Sequence, residues 1–281
     1  MIDEKVVNTY VRSSKSSFYL AMLAFPRERR RAIMIVYAFC RFTDDMVDRA
    51  IPDVNPVAFL DNWRKEFDKG VLGKSDYLLL NHLGSVCRDY SIPSSLFHDL
   101  IDGFEMDLDK TTYQTFSELY EYCYRVASTV GLIVMRLLDN RDPALQAYAI
   151  NAGIGVQLTN IIRDVATDQQ RGRVYIPTEE LREEGLMISS WLEEEEEALT
   201  RLLMKQCARA RSFYDAADRI YEEQQPTGLY PARSMQNLYR ALLRKMEYRI
   251  EDIPQRKVRL SSIEKVRVLA KTWIQESFRE Y

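Results

Sequence analysis

The chain has 281 residues, 46% of them apolar and 29% charged, with a net charge of −3. That is enough apolar material for a sizeable core, and the charged fraction is ordinary for a globular protein. The acidic balance excludes a nucleic-acid binder, whose grip on phosphate needs a basic footprint, but leaves room for a local basic pocket that takes an anionic substrate.

The opening stretch, MIDEKVVNTYVRSSKSS, has no apolar run behind a basic start and does not read as a signal peptide. From there the apolar residues recur with helical period, and strand-like alternation is nearly absent. Helices are expected at roughly 16–25, 27–49, 55–69, 76–89, 94–107, 115–139, 143–169, 189–222, 229–251 and 261–277. Pro26, Pro143 and Pro177 sit at expected helix starts or breaks. No Gly/Ser-rich linker divides the chain, so one all-α domain over 1–281 is expected. The acidic run Glu193–Glu197 reads as a solvated helix start favoured by the helix dipole.

Cys40, Cys87, Cys123 and Cys207 are scattered and form no CxxC pair, which argues against zinc and for a reducing, cytoplasmic setting. No run reaches the length of a membrane span, and the end, WIQESFREY, is polar, so no anchor is expected there. The expected protein is soluble, with at most a peripheral contact with a membrane surface.

Two segments carry chemistry: 37-YAFCRFTDDMVD-48 and 157-QLTNIIRDVATD-168. Each contains D-x-x-x-D, Asp44/Asp48 and Asp164/Asp168. Positions i and i+4 share a helix face, where like charges repel. The sequence upstream of each pair is strongly apolar, and partial burial makes an uncompensated pair far more costly. A hard divalent cation removes the conflict: Mg2+ takes carboxylate oxygens and leaves positions for water and substrate phosphates. Asn160 shares the stripe of Asp164 and Asp168 and offers a neutral oxygen, and Gln157 extends it. Arg41 lies one turn before Asp44, and Arg163 directly precedes Asp164. Arginine presents a planar fork to phosphate oxygens, so these are the parts for holding a diphosphate and stabilising it as it leaves.

Other carboxylates are less pointed. Asp102, Glu105, Asp107 and Asp109 form a third acidic cluster at an expected helix end, either surface or abutting the site. His82 and His98 have no catalytic context. No nucleotide-binding glycine motif follows a strand.

Together these segments resemble the squalene/phytoene synthase family of head-to-head prenyl synthases. The matching stretches are 17-SFYLAMLAFPRERRRA-32, 37-YAFCRFTDDMVD-48, 120-YEYCYRVASTVG-131 and 156-VQLTNIIRDVATDQQRGRVYIP-177. The resemblance implies an isoprenoid-synthase-like helical bundle around a central cavity. In it two farnesyl or two geranylgeranyl diphosphates would be joined through a cyclopropylcarbinyl diphosphate, with about two or three Mg2+ ions bound between the aspartate motifs. Asp44, Asp48, Asn160, Asp164 and Asp168 are then the metal ligands, and Arg41, Gln157 and Arg163 diphosphate-side contacts. Tyr37, Tyr122 and Tyr239 match site tyrosines, and Arg256 a residue that closes over phosphate.

From the residues alone, Tyr37 shares the stripe of Arg41, Asp44 and Asp48, where its ring could face a carbocation or simply sit in the core. Phe18 could line the same pocket. The small residues in 127-ASTVG-131 and 152-AGIG-155 could open a lipid tunnel or let helices pack closely, the second being favoured. Asp45 falls off the Asp44/Asp48 stripe by about 100° and is assigned to a supporting position. Competing readings are a terpene cyclase, a prenyl-diphosphate phosphatase, or an inactive helical assembly factor. The lack of a nucleotide motif argues against NADPH use. Between thirty- and forty-carbon products the reading leans slightly to phytoene.

Overall fold

The computed structural model describes residues 21–48, 55–193 and 196–278. Among them helices dominate: α1 Arg27–Asp48, α2 Pro56–Val71, α3 Leu78–Asp89, α4 Ser95–Asp109, α5 Phe116–Cys123, α6 Thr129–Leu137, α7 Pro143–Gln170, α8 Thr178–Glu183, α9 Glu196–Gln224, α10 Tyr230–Tyr248 and α11 Ser262–Ser277. The described residues form no strand. One isolated parallel bridge joins Thr112 to Val174. No described helix is long and apolar enough to cross a membrane.

Local chemistry sets the ends. Asn55 caps α2 by accepting from the amides of Val57 and Ala58 at 3.0 and 3.1 Å, with Pro56 in the first turn. Asp142 does the same for α7 through Ala144 at 2.8 Å, ahead of Pro143. Ser261 and Glu264 form a reciprocal capping box on α11.

Four departures from the sequence expectation have physical causes. The helix expected over 115–139 is interrupted by a π turn at Tyr124–Ser128, so α5 and α6 are separate α-helical segments. The helix expected from 189 is instead turn and bend over 189–193, where buried Trp191 is anchored in the core, and is described as helix from Glu196. α10 gives way to a 3-10 turn at Ile250–Asp252, just before Pro254. The short helix α8 was not expected at all; it opens at Pro177. Of the helix expected at 16–25, residues 16–20 lie outside the described residues.

The core has two apolar clusters, and α7 belongs to both. Its first half supplies Leu145, Tyr148 and Ala149 to a cluster with Phe39, Trp63, Phe67 and Phe97. From Ile154 onward it supplies Ile154, Leu158, Ile161 and Ile162 to a cluster with Trp191, Leu202 and Tyr214. In the first, Phe39 of α1 stacks on Trp63 of α2 with ring centroids 6.0 Å apart, and Trp63 Nε1 donates to Thr43 Oγ1 at 2.9 Å. Losing one such aromatic typically costs about 3–5 kcal/mol. These contacts hold the end of α1, where the first aspartate pair begins.

Close approach is bought with small residues. A Cβ on Gly153 would lie 2.7 Å from Ser128 Cα, and one on Gly155 2.8 Å from the Tyr214 ring. The glycines bring α7 against the π turn and α9, as the close-packing reading of 152–155 expects. Ala127, Gly131, Ala149, Ala152 and Gly153 also line an apolar cavity, so close packing and open space occur side by side.

Candidate active site

A polar cavity of about 910 Å³ opens between α1, α4, α7, α10 and the segment leading into α11. Asp44 and Asp48 line it from α1, and Asp164 and Asp168 from α7. The two pairs, far apart in sequence, therefore face one space. Each sits in the last described turns of its helix, and among the described residues neither helix has a basic residue in its last turn. Asp107, near the end of α4, joins them under the same condition. Helix C-termini carry partial negative charge and disfavour carboxylates. Three acidic helix ends on one cavity are thus an arrangement that stability alone disfavours.

The chain's own cations answer part of that charge. Arg41 Nη1 lies 2.9 Å from Asp44 and its Nη2 2.6 Å from Asp45. Buried Asp45 thus supports Arg41, which fits the supporting position assigned to it. Asp48 receives Arg171 Nη1 and Arg173 Nη1, each at 2.6 Å. Asp164 receives Arg163 through Nε at 3.0 Å and through Nη2, and Lys257 Nζ at 2.9 Å.

The balance is uneven. Burial, then the neighbouring Asp48, pushes the Asp44 carboxyl up to about 6. Burial, then Asp164, pushes Asp168 up to about 7. Asp164 is also buried, yet its bonds to Arg163 and Lys257 hold it below the ordinary carboxylate range. Burial raises Asp107 to about 6 against the hydroxyls of Tyr175 and Tyr122, which donate to it at 2.6 and 3.0 Å.

Among the described residues, no three Asp, Glu, His or Cys side chains converge closely enough to hold a metal ion by themselves. Mg2+ is usually bound by one or two carboxylates, with water and substrate phosphates completing its octahedron. The donors here suit that mode. Asp44 and Asp168 are under-neutralised, and buried Asn160 Oδ1 has no hydrogen-bond partner, an acceptor that a cation would satisfy.

Next to the polar cavity lies an apolar one of about 280 Å³, lined by residues such as Met22, Phe25, Val130, Val134, Met135 and Met235. Tyr37, Gln157, Asn160 and Tyr239 line both, so an amphiphile with an anionic head and an apolar tail finds both halves of its environment across a shared wall.

Every site residue expected from the sequence lines the polar cavity except two: Tyr37, Arg41, Tyr122, Gln157, Arg163 and Tyr239 are there with the metal-ligand candidates. Phe18 lies outside the described residues. Arg256 does not line the cavity; it is exposed and pairs with Asp252 at 2.8 Å. Lys257, Arg259 and Lys265 line it instead, with Val258 and Leu260 between them: the irregular segment after the 3-10 turn runs along the cavity from 257 onward. His98 pairs with Asp68 on the surface, and neither histidine lines the cavity.

Arg171, Arg173 and Tyr175, in the stretch RGRVYIP, line the cavity although their spacing in sequence gives them no role. Gly172, at φ +76°, turns the chain between the two arginines in a conformation that suits glycine. The following strand-like segment is then latched to 111–114 by Val174 N to Thr111 O and Thr178 N to Tyr113 O, both 2.8 Å. The third acidic cluster splits: Asp107 enters the site, whereas Asp102 pairs with Arg64 and Arg125, and Glu105 with Arg64.

Carboxylates on neighbouring helices around a cation-lined cavity, backed by an apolar chamber, make a site suited to an anionic head group with an apolar tail. Residues 11–264 match the family model for squalene/phytoene synthase, and the chain belongs to that family. It is 37% identical over 238 residues to a chloroplastic phytoene synthase of an Oncidium hybrid cultivar, covering 82% of this chain and 58% of that protein. It is 35% identical over 239 residues to phytoene synthase 2 of Solanum lycopersicum, covering 82% and 77%. The chain thus spans less than two thirds of the Oncidium protein's length. Among solved structures, a dehydrosqualene synthase in complex with ligand superposes with a TM-score of 0.85 at 26% identity, covering 98% of this chain and 96% of that one. Squalene synthase HpnC from Alicyclobacillus acidocaldarius shares the fold, with a TM-score of 0.80 at 24% identity over 89% and 94% of the two chains.

Proposed function

We propose that the protein joins two prenyl diphosphates head to head across these adjoining cavities, with geranylgeranyl diphosphate as substrate and phytoene as product. The observation that carries the reading is the placement of both aspartate pairs on one polar cavity that shares Tyr37, Gln157, Asn160 and Tyr239 with an apolar cavity. The relatives at 35% and 37% identity bear the name phytoene synthase, which supports the forty-carbon product over the thirty-carbon alternatives made from farnesyl diphosphate.

Asp44, Asp48, Asn160, Asp164 and Asp168 are the proposed ligands of magnesium, which when bound neutralises the diphosphate and makes it a good leaving group. Arg41, Arg171, Arg173, Lys257, Arg259 and Lys265 supply fixed cations around the same space. They bind the diphosphates and keep the departing one from recombining. The apolar chamber takes the prenyl chains and excludes water that would quench an allylic cation. Tyr37 and Tyr239 stand at the boundary, where an aromatic face favours a passing positive charge.

Loss of the first diphosphate leaves an allylic cation, which the double bond of the second substrate attacks. A proton is lost and a cyclopropylcarbinyl diphosphate forms. Its ionisation, rearrangement and a second proton loss give phytoene, with two diphosphates and two protons released in all. The sequence ends by proton loss and needs no NADPH.

The test incubates the protein with geranylgeranyl or farnesyl diphosphate, with Mg2+ or with EDTA, without NADPH, and identifies products by mass spectrometry. Phytoene formed only with Mg2+ is expected. A cyclised or hydrolysed single prenyl unit would instead make it a cyclase or phosphatase. No turnover of either substrate would leave an inactive helical scaffold, and full activity in EDTA would remove the metal from the mechanism.

A further inference from the structure

The amphipathic pattern of α11 is inverted relative to the molecule that carries it. Ile263, Val266, Ala270, Trp273 and Ile274 fall on one stripe at helical spacing. A stripe of this kind ordinarily packs on a core. Here it faces away: Ile263 is 74% exposed, Val266 63% and Trp273 59%, with Phe278 at the end of the helix 80% exposed. The buried positions of α11 are polar, Thr272 and Glu276. They dock the helix, Thr272 Oγ1 accepting from Asn237 Nδ2 at 2.9 Å and Glu276 accepting from the Tyr221 hydroxyl.

The charges are sorted in the same way. Glu264 and Glu276 are the acids of α11. Glu276 is turned inward, and Glu264 is held by the Ser261 amide and by Lys245 Nζ at 2.7 and 2.8 Å. Arg267 and Lys271 are exposed beside the apolar stripe, and the described residues supply no ion pair to either. A chain of net charge −3 therefore presents, on the outward face of α11, bulky apolar side chains beside which the charged residues of the helix are cations.

We propose that the outward face of α11 is an in-plane docking surface for an anionic lipid bilayer. Apolar side chains enter the acyl boundary, the Trp273 ring sits at headgroup depth, and Arg267 and Lys271 meet lipid phosphates. A second copy of the chain is the poorer occupant. Self-pairing of this face would bring Arg267 and Lys271 against their own counterparts, with both acids of the helix already turned away. Lys265, on the inner side of α11, lines the polar cavity, so docking holds the edge of that cavity beside the membrane.

The chain's tryptophans make the test direct. Trp63 and Trp191 are each 1% exposed, so a change in tryptophan emission on adding lipid reports Trp273. The full chain is titrated with vesicles of phosphatidylcholine alone and of equimolar phosphatidylcholine and phosphatidylglycerol, following emission and cosedimentation. A blue shift with cosedimentation on the anionic vesicles is expected, weaker on neutral vesicles and in high salt. Ile263→Ser with Val266→Ser, and separately Arg267→Glu with Lys271→Glu, should each lower the partition coefficient at least roughly tenfold while far-UV circular dichroism stays unchanged. Absence of binding to anionic vesicles, or binding indifferent to both double variants, would overturn the proposal. So would a concentration-dependent dimer in sedimentation that Ile263→Ser with Val266→Ser dissolves, since the face would then belong to a second copy.

Discussion

Arg173, just beyond the second aspartate pair, places its Nη1 2.6 Å from Oδ1 of Asp48 in the first pair. Arg171 reaches the other oxygen at the same distance. The two carboxylate motifs are thus linked through one turn of chain, and Asp48 is the shared point. Arg173 is the more buried arginine, so its bond is the less screened by solvent. Arg173→Gln is expected to destabilise the fold by about 2 kcal/mol and to lower kcat/KM. Arg171→Gln should change stability by less than about 1 kcal/mol. Denaturant unfolding of the two variants checks the ranking; equal losses would refute it.

Arg163 donates to both oxygens of Asp164, and this fork has no lysine equivalent. Arg163→Lys keeps the charge but frees one oxygen of Asp164. A fall in kcat/KM of roughly tenfold or more is expected, equivalent to about 1.4 kcal/mol, with unchanged circular dichroism. Near wild-type turnover would reduce Arg163 to a local partner of Asp164.

Gly153→Ala tests the close packing that shapes the apolar cavity. The added Cβ would meet Ser128 Cα at 2.7 Å and Ala127 O at 2.9 Å, both backbone atoms of the π turn. Backbone cannot swing aside as a side chain can, so a loss of about 1–3 kcal/mol is expected. A melting temperature equal to wild type would show that α7 and the π turn separate freely.

Glu66 gives a pH signature remote from the site. It is buried at the end of α2 and accepts from Lys69, Ser75 Oγ and the Asp76 amide. Its bond to Lys69, then those to Ser75 and Asp76, lowers its carboxyl from 4.5 to about 2. A lowered carboxyl stabilises the fold fully above its unfolded value, and the effect fades as pH falls towards the folded one. Glu66→Gln should therefore be less stable than wild type at neutral pH, with the gap shrinking between about pH 4.5 and 2. A gap constant over that range would assign the effect to shape rather than charge.

Helical period and i,i+4 spacing are properties of a few neighbouring residues, and so the sequence by itself determined most of the helices, though neither α8 nor the π turn, together with the faces of α1 and α7 that carry Asp44/Asp48 and Asp164/Asp168, and the stripe joining Tyr37 and Arg41 to the first pair. Which cations meet those carboxylates was decided by tertiary structure. Lys257 rather than Arg256 turns to the cavity because of the path taken by an irregular segment. Asp107 parts from Asp102 and Glu105 because the hydroxyls of Tyr122 and Tyr175 converge on it from α5 and from the chain beyond α7. The glycines and alanines of 127–131 and 152–155 were ambiguous in sequence because a small residue both admits a neighbouring backbone and leaves space beside it. Only the placement of α7 against the π turn and α6 shows that they do both. The outward stripe of α11 is the sharpest case. Its spacing was legible, but periodicity records only that a helix has an apolar face, and it was the polar docking of Thr272 and Glu276 that turned that face to the outside.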